Sequence, residues 1–296
     1  MKYHKSVLLN EGINALNVTK GRKYIDATLG GGGHAKAILE KGGLVLGIDA
    51  DSEAIEFVKK NQESRIKNQE LKLAKGNFRN IDIIAKDYGF EKAWGILFDL
   101  GISSHQIDTP ERGFSYILPG PLDMRMDKSL TVAASDLVNA LGKSELIDLF
   151  RNFGEETNAN RVADLIIKRR KIAPFKTTDD LTLTLATAYG FRTVNDFARA
   201  TSGKRVFQAL RIAVNDELGS LKEALPKALD LLEENGRIAI ITFHSLEDRI
   251  VKRAFIEFEK NGKGKILTDK PILPTEEEVR ENGRSKSAKL RIFQKL

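Results

Sequence analysis

The chain has 296 residues, 41% of them hydrophobic and 30% charged, with a formal net charge of +7. It contains no cysteine and only four scattered histidines, which excludes disulfides and thiolate zinc sites and disfavours a dedicated transition-metal centre. No apolar run approaches the ~18 residues of a membrane span, so a soluble cytoplasmic protein of one large or two modest domains is expected, and the positive excess permits a polyanionic partner.

The first residues lead into a short amphipathic stretch without the apolar core of a secretory signal. Residues 24–29 read as a buried strand, and further strands are predicted at 44–49, 71–76 and 96–100. Helical stretches at 34–41, 52–61 and about 80–88 lie between them, with Ser52 the expected N-cap of the second. This alternation predicts a doubly wound, mostly parallel α/β sheet. From about 107 to 204 the strand pattern stops. Residues 108–114 and 118–121 are loop-like, and helical patterns follow at 131–153, 157–171 and 178–189. An all-helical insertion over 107–204 is therefore predicted within a discontinuous domain of residues 1–106 and 205–296. An apolar stripe then runs from Leu210 through Val214, Leu218, Leu221, Leu225 and Leu229 to Leu232, with Pro226 expected to kink or restart its helix. Residues 237–243 read as a buried strand. Residues 287–293 read as a closing strand with one solvated face.

The most telling local feature is "DATLGGGGHA" at 26–35, with four glycines between a predicted strand and a predicted helix. Glycine lets backbone approach a ligand, and a helix start offers unpaired N–H groups. Asp49 closes the next strand about twenty residues on, where a carboxylate can accept from ribose hydroxyls. Together they point to a nucleoside-containing cofactor. The pattern Gly31-x-Gly33-x-x ends in Lys36, so the third glycine of a dinucleotide fingerprint is missing. Asp26 and Asp99, each at a strand end, would repel phosphates but suit a cation. Sulfonium-bearing S-adenosyl-L-methionine is favoured over a nicotinamide dinucleotide on these grounds.

Further motifs carry a resemblance. They are "HKSVLLNE" (4–11), "GIDAD" (47–51), "LFDLGISSHQID" (97–108), "ERGFSY" (111–116), "GPLDMRMD" (120–127), "GEE" (154–156), "FQALRIAVNDEL" (207–218), "FHSLEDRIVK" (243–252) and "RSKSAKLR" (284–291). With the glycine turn they resemble, nearly end to end, the bacterial 16S ribosomal RNA cytosine-N4 methyltransferases of the RsmH (MraW) type. The resemblance implies a class I, Rossmann-like methyltransferase fold with an inserted helical domain for substrate recognition. It implies S-adenosyl-L-methionine as cofactor, no metal, and a cytidine N4 in the decoding region of the small ribosomal subunit as target. It is compatible with a homodimer. Carried over residue by residue, Gly32, Gly33 and His34 would line the methionine part, Asp49 would hold the ribose, and Phe78 would pack on adenine. Asp99 and Gln106 would complete the pocket. Read alone, Phe78 is a core aromatic. His34, at a helix start, is expected to be neutral because the helix dipole disfavours a cation there. Two positions depart from the family's pattern: Val206 stands where threonine is usual, and Gly283 where proline is common.

Cytosine N4 is a weak nucleophile because its lone pair is delocalised into the ring. The enzyme must orient it and accept a hydrogen bond from it. Asp99, or Ser103 nearby, is the leading candidate acceptor. Asp123 and Asp127 follow, with Arg125 or His244 positioning the base or a phosphate. Phe114, Tyr116 and Phe243 are candidate stacking partners for an unstacked base. Lys168 to Lys171, Lys286, Lys289 and Arg291 are candidate phosphate contacts. In "FHSLEDRIVK", Ser245 is the expected helix cap, with Asp248 at the N3 position. An amino-group methyltransferase of another nucleic acid, a catalytically silent RNA-binding assembly factor and a dehydrogenase are the competing readings.

Overall fold

The computed structural model describes residues 6–192, 196–197 and 203–296. The chain divides into two compact units, residues 1–101 with 218–296, and residues 102–217.

The first unit opens with helix α1 (Leu9–Leu16) and then alternates β1 (Lys23–Asp26), α2 (Gly33–Glu40), β2 (Leu44–Asp49), α3 (Ser52–Asn61), α4 (Glu63–Lys67), β3 (Leu71–Lys75), α5 (Ile81–Asp87) and β4 (Ala93–Asp99). The helical unit follows with α6 (Ser104–Asp108), α7 (Ala134–Ala140), α8 (Lys143–Gly154), α9 (Ala159–Arg170), α10 (Thr178–Tyr189) and α11 (Lys204–Asn215). The chain then returns through α12 (Glu217–Leu231), β5 (Leu232–Thr242), α13 (Ser245–Lys260), β6 (Gly264–Ile266), α14 (Glu276–Glu281) and β7 (Lys289–Lys295).

The strands form one sheet in the order β3-β2-β1-β4-β5-β7-β6. β1 to β5 are parallel, and β7 pairs antiparallel with both β5 and β6. Alternate residues of each strand serve opposite faces. Ile96 and Phe98 pack with Ala85 of α5, Leu225 of α12 and Phe255 of α13. Leu97 packs with Leu16 of α1, Ile38 of α2 and Val58 of α3. Both faces are thus covered, and the parallel strands read as continuous apolar runs for that reason. A separate apolar core, including Phe150, Phe175 and Val206, holds the helical unit together. Val206 is fully buried there, so a threonine hydroxyl at this position would need a partner that valine does not.

Several local expectations give way. The N-cap of α3 is Asp51, whose side chain accepts from the Glu53 N–H at 3.0 Å, and not Ser52. The predicted helix 131–153 is two helices, because the chain is extended at Leu141 and Glu145 caps the Gly142 N–H at 2.7 Å. The stripe from 210 to 232 breaks at Asp216, which adopts a left-handed φ of 46°, and α12 runs on through Pro226. The closing strand has no solvated run at its centre. Leu290, Arg291, Ile292 and Phe293 are all buried, with Arg291 donating to Asp248 at 2.7 and 3.3 Å. The helical unit also takes in 102–106 and α11. Gln208 of α11 donates to the Phe153 carbonyl at 3.0 Å, and Gly154 leaves room for the Arg205 backbone.

Candidate functional site

β1, β2 and β4 each end in an aspartate, Asp26, Asp49 and Asp99, at the carboxyl edge of the sheet. β1 and β4 are also the neighbours at which strand order reverses, the switch point where open α/β sheets bind ligands. The glycine turn sits there.

Its glycines answer to different needs. A Cβ on Gly32, whose φ is 75°, would come within 2.9 Å of Val58 on α3, and one on Gly33 would overlap the Ser6 side chain. These two therefore permit close packing by neighbours from the same chain. Gly30 is different: with φ 49°, its Cβ would meet only the Thr28 carbonyl oxygen at 4.0 Å, so this part of the turn faces open space. Asp49 fixes that part of the turn. Its Oδ2 accepts from the Gly30 N–H at 2.7 Å and its Oδ1 from the Asp51 N–H at 2.8 Å.

Asp26 is almost fully buried. Its Oδ1 accepts from the Thr28 N–H at 3.3 Å, and the Thr28 hydroxyl accepts from the Asp99 N–H at 2.6 Å, tying β1 to β4. Asp26 Oδ2 and Asp99 Oδ1 have no hydrogen-bond partner among the described residues. Burial pushes the Asp26 carboxyl up to about 7, with the Asp49 charge adding to the effect. Burial likewise pushes Asp99 well above the usual carboxylate range, helped by Asp26, Glu247 and Glu278.

His34 lies behind Asp99. Its Nδ1 is 3.6 Å from Asp99 Oδ2, its side chain is 4% exposed against 23% for Asp99, and its Nε2 has no partner among the described residues. Burial pushes the imidazole down to about 4, so the ring is neutral. The sequence led to the same state through the helix dipole, whereas burial is the larger cause. Gly12 of α1 lies against the ring, where a Cβ would stand in ordinary contact at 3.6 Å.

Phe78 opens a short 3-10 turn just past β3. It meets Phe98 edge-on at 5.7 Å between ring centres and stays partly exposed. His244 follows β5, where it is the N-cap of α13, displacing Ser245 from that role. Its Nδ1 accepts from the Glu247 N–H at 3.4 Å, and Glu247 Oε2 accepts from the Phe243 and His244 N–H groups at 2.8 and 3.3 Å. Asp248 serves another purpose, holding Arg291 and Lys289.

Within the helical unit, Ser103 and Gln106 cap α6 reciprocally. Ser103 Oγ accepts from the Gln106 N–H at 3.2 Å and Gln106 Oε1 from the Ser103 N–H at 3.0 Å. Asp123 and Arg125 form a two-pronged ion pair at 2.9 and 2.7 Å, and Arg125 also donates to the Leu130 carbonyl at 2.6 Å. This pairing outweighs burial and holds the Asp123 carboxyl below its usual range. Phe114 is buried in the core of this unit, and Tyr116 packs against Phe207. The basic run at 168–171 is partly consumed: Arg169 donates to the Ala173 carbonyl and Arg170 to the Val138 and Leu141 carbonyls.

Sequence reasoning did not single out Thr28, Glu247 or Glu278. Thr28 and Glu247 lie inside motifs that were noted, but their roles depend on strand pairing that spacing alone does not give. The sheet unit thus sets buried Asp26 and partly exposed Asp99, neither ion-paired to Lys or Arg among the described residues, beside an open stretch of bare backbone. Such a place stabilises a cation and repels a phosphate.

Comparison with known proteins agrees in kind. Residues 1–296 match the model of the MraW methylase family. Ribosomal RNA small subunit methyltransferase H of Halothermothrix orenii is 44% identical over 100% of this chain and 99% of its own length. The proteins of that name from Carboxydothermus hydrogenoformans and Fusobacterium nucleatum are 43% and 42% identical, each over 99% of this chain and 98% and 97% of their own lengths.

Proposed function

We infer that this chain, which belongs to the MraW methylase family, is an S-adenosylmethionine-dependent methyltransferase of small-subunit ribosomal RNA, acting on the exocyclic N4 of a cytidine in the decoding region. The single observation that carries the cofactor is the row of strand-end acids, with Asp26 Oδ2 and Asp99 Oδ1 unpartnered among the described residues. The names of the relatives carry the RNA. The cofactor, when bound, supplies an electrophilic methyl group on a sulfonium.

The residues fit such a group. Asp49, already holding the turn, is placed to take ribose hydroxyls, and the exposed face of Phe78 suits a flat base. The open stretch at Gly30 admits the ligand's close approach. Gly32, Gly33 and His34 shape the floor of the turn.

Of the candidate acceptors, Asp99 is favoured. Asp123 is committed to Arg125, Ser103 to the cap of α6, and His244 to the cap of α13. Burial pushes the Asp99 carboxyl up, which favours its protonated form, the form that donates a hydrogen bond. A cation beside it favours the carboxylate, which accepts one. Cofactor binding therefore favours the form of Asp99 that can accept from the cytosine amino group. The helical unit is assigned to recognition of an unstacked base and its surroundings. The same reading places the chain in the cytoplasm, where small subunits assemble, and allows two copies to pair.

The test is transfer of labelled methyl groups into small ribosomal subunits, free 16S RNA and duplex DNA, with the product base mapped. One N4-methylated cytidine in the small-subunit RNA is expected. Labelling of DNA alone would overturn the reading. Asp99→Asn is expected to weaken cofactor binding and, at saturating cofactor, to lose about 100-fold or more in transfer rate. Wild-type transfer by that variant would remove Asp99 from the chemistry.

A further inference from the structure

We propose that the outer face of α13 is the track on which the phosphates of the RNA substrate dock; this rests on the methyltransferase reading above. Val251, Phe255 and Phe258 turn one side of the helix into the sheet, while Arg249, Lys252, Arg253 and Lys260 are exposed on the other. At 100° per residue these four share one face.

The acids of the first turn do not balance that face. Glu247 is buried and bonded to the backbone ahead of the helix. Asp248 is held by Arg291 at 2.7 Å and Lys289 at 3.5 Å. The side chains of Lys252 and Arg253 make no ion pair or hydrogen bond among the described residues.

The arrangement also runs against the helix's own preferences. Arg249 stands three residues from Lys252 and four from Arg253, and such like-charge pairs destabilise a helix by about 0.2–0.5 kcal/mol each. Glu257, four residues from Arg253, and Glu259 flank this face, but the like-charge pairs within the cluster add nothing to helix stability, whereas an external polyanion would be held by them.

Its place in the fold agrees. α13 leaves the sheet directly from the carboxyl end of β5, beside the strand ends that carry Asp26 and Asp99. The register pairs Thr242 with Lys289, so the chain just before β7, including exposed Lys286, lies at the same edge. The positive face thus begins at the rim of the cofactor site and leads away from it. The helical unit has nearly as many acids as bases, so the positive excess of the chain belongs mainly to the sheet unit.

The experiment compares the double variant Lys252→Glu/Arg253→Glu with the wild type. KM for small ribosomal subunits and for free 16S RNA is measured across a salt series, and cofactor titration reports on folding. The variant is expected to bind cofactor as the wild type does, to raise KM about tenfold or more on both substrates, and to flatten the slope of log KM against log salt by about 1.4–1.8, two phosphates' worth. The matched pair Lys59→Glu/Lys60→Glu on α3, exposed on the opposite side of the sheet, is expected to leave KM and slope at wild-type values. An unchanged KM and slope for the α13 variant would overturn the track. So would equal shifts for both pairs, which would mean diffuse charge, or a shift on subunits but not on free RNA, which would mean a ribosomal protein partner. Failure of the wild type to methylate either substrate would instead overturn the function on which the track depends.

Discussion

A carboxyl group buried with one oxygen unpartnered holds its proton to higher pH, because burial disfavours the charge more than backbone hydrogen bonds favour it. Asp26 is in that position, with its carboxyl at about 7 in the fold against 3.8 when free. Between those values the folded chain holds a proton that the unfolded chain has released. Stability is therefore greatest on this account below about pH 4, and is lost as pH rises through 7. Asparagine has the same shape and no titration. Asp26→Asn is expected to raise the thermal midpoint relative to wild type by more at pH 8 than at pH 5, as followed by thermal unfolding at both. An equal change at both pH values would show that Asp26 is not the buried acid described. The position of the acids at strand ends was legible in the sequence. The burial of Asp26 was not, because it depends on tertiary packing and on Thr28 bonding across to β4.

Between neighbouring residues of an element, patterns compete. "FHSLEDR" offers Ser245 with Asp248 and His244 with Glu247 as equally spaced capping pairs. What decides is where β5 ends. With Thr242 in the strand, the Phe243 and His244 N–H groups are the ones needing an acceptor, and Glu247 reaches both. His244, first considered for the chemistry, thus has a structural task. His244→Ala is expected to cost about 1 kcal/mol of stability, and His244→Asn, which can still cap, to restore most of it. Denaturant titration reads the difference; equal losses in the two variants would argue that the imidazole does something other than cap. The same limit applied to Ser52 and Asp51, and to the Gly142 break between α7 and α8. Pro226 does not restart the helix. Proline constrains its own φ and the preceding turn, but the left-handed Asp216 already provides the break that lets α12 start afresh.

At the scale of the whole chain, strand–helix alternation exposed β1 to β4, and the late apolar run exposed β5. β6, three residues long, and α14, six residues long, were too short to show a period. β7 was visible, but its burial between β5 and β6 was not, since Arg291 reads as a surface residue until Asp248 is found beside it. The helical unit was legible as an absence of strands. Its start at 102 and its inclusion of α11 follow from packing that no sequence period encodes. The candidate site was legible as residue types, and its central property, acids whose carboxyls burial pushes up and a cation would push back down, comes from the fold. Calorimetric titration of the whole chain with S-adenosylmethionine, at pH 6 and pH 8 and in buffers of different ionisation enthalpy, tests that property most directly. The account expects binding at both, tighter at pH 8, with protons released to the buffer at pH 6 as a cation returns Asp26 and Asp99 to their charged forms. Folded protein that gives no heat with this ligand, or an affinity that ignores pH and releases no proton, would contradict it.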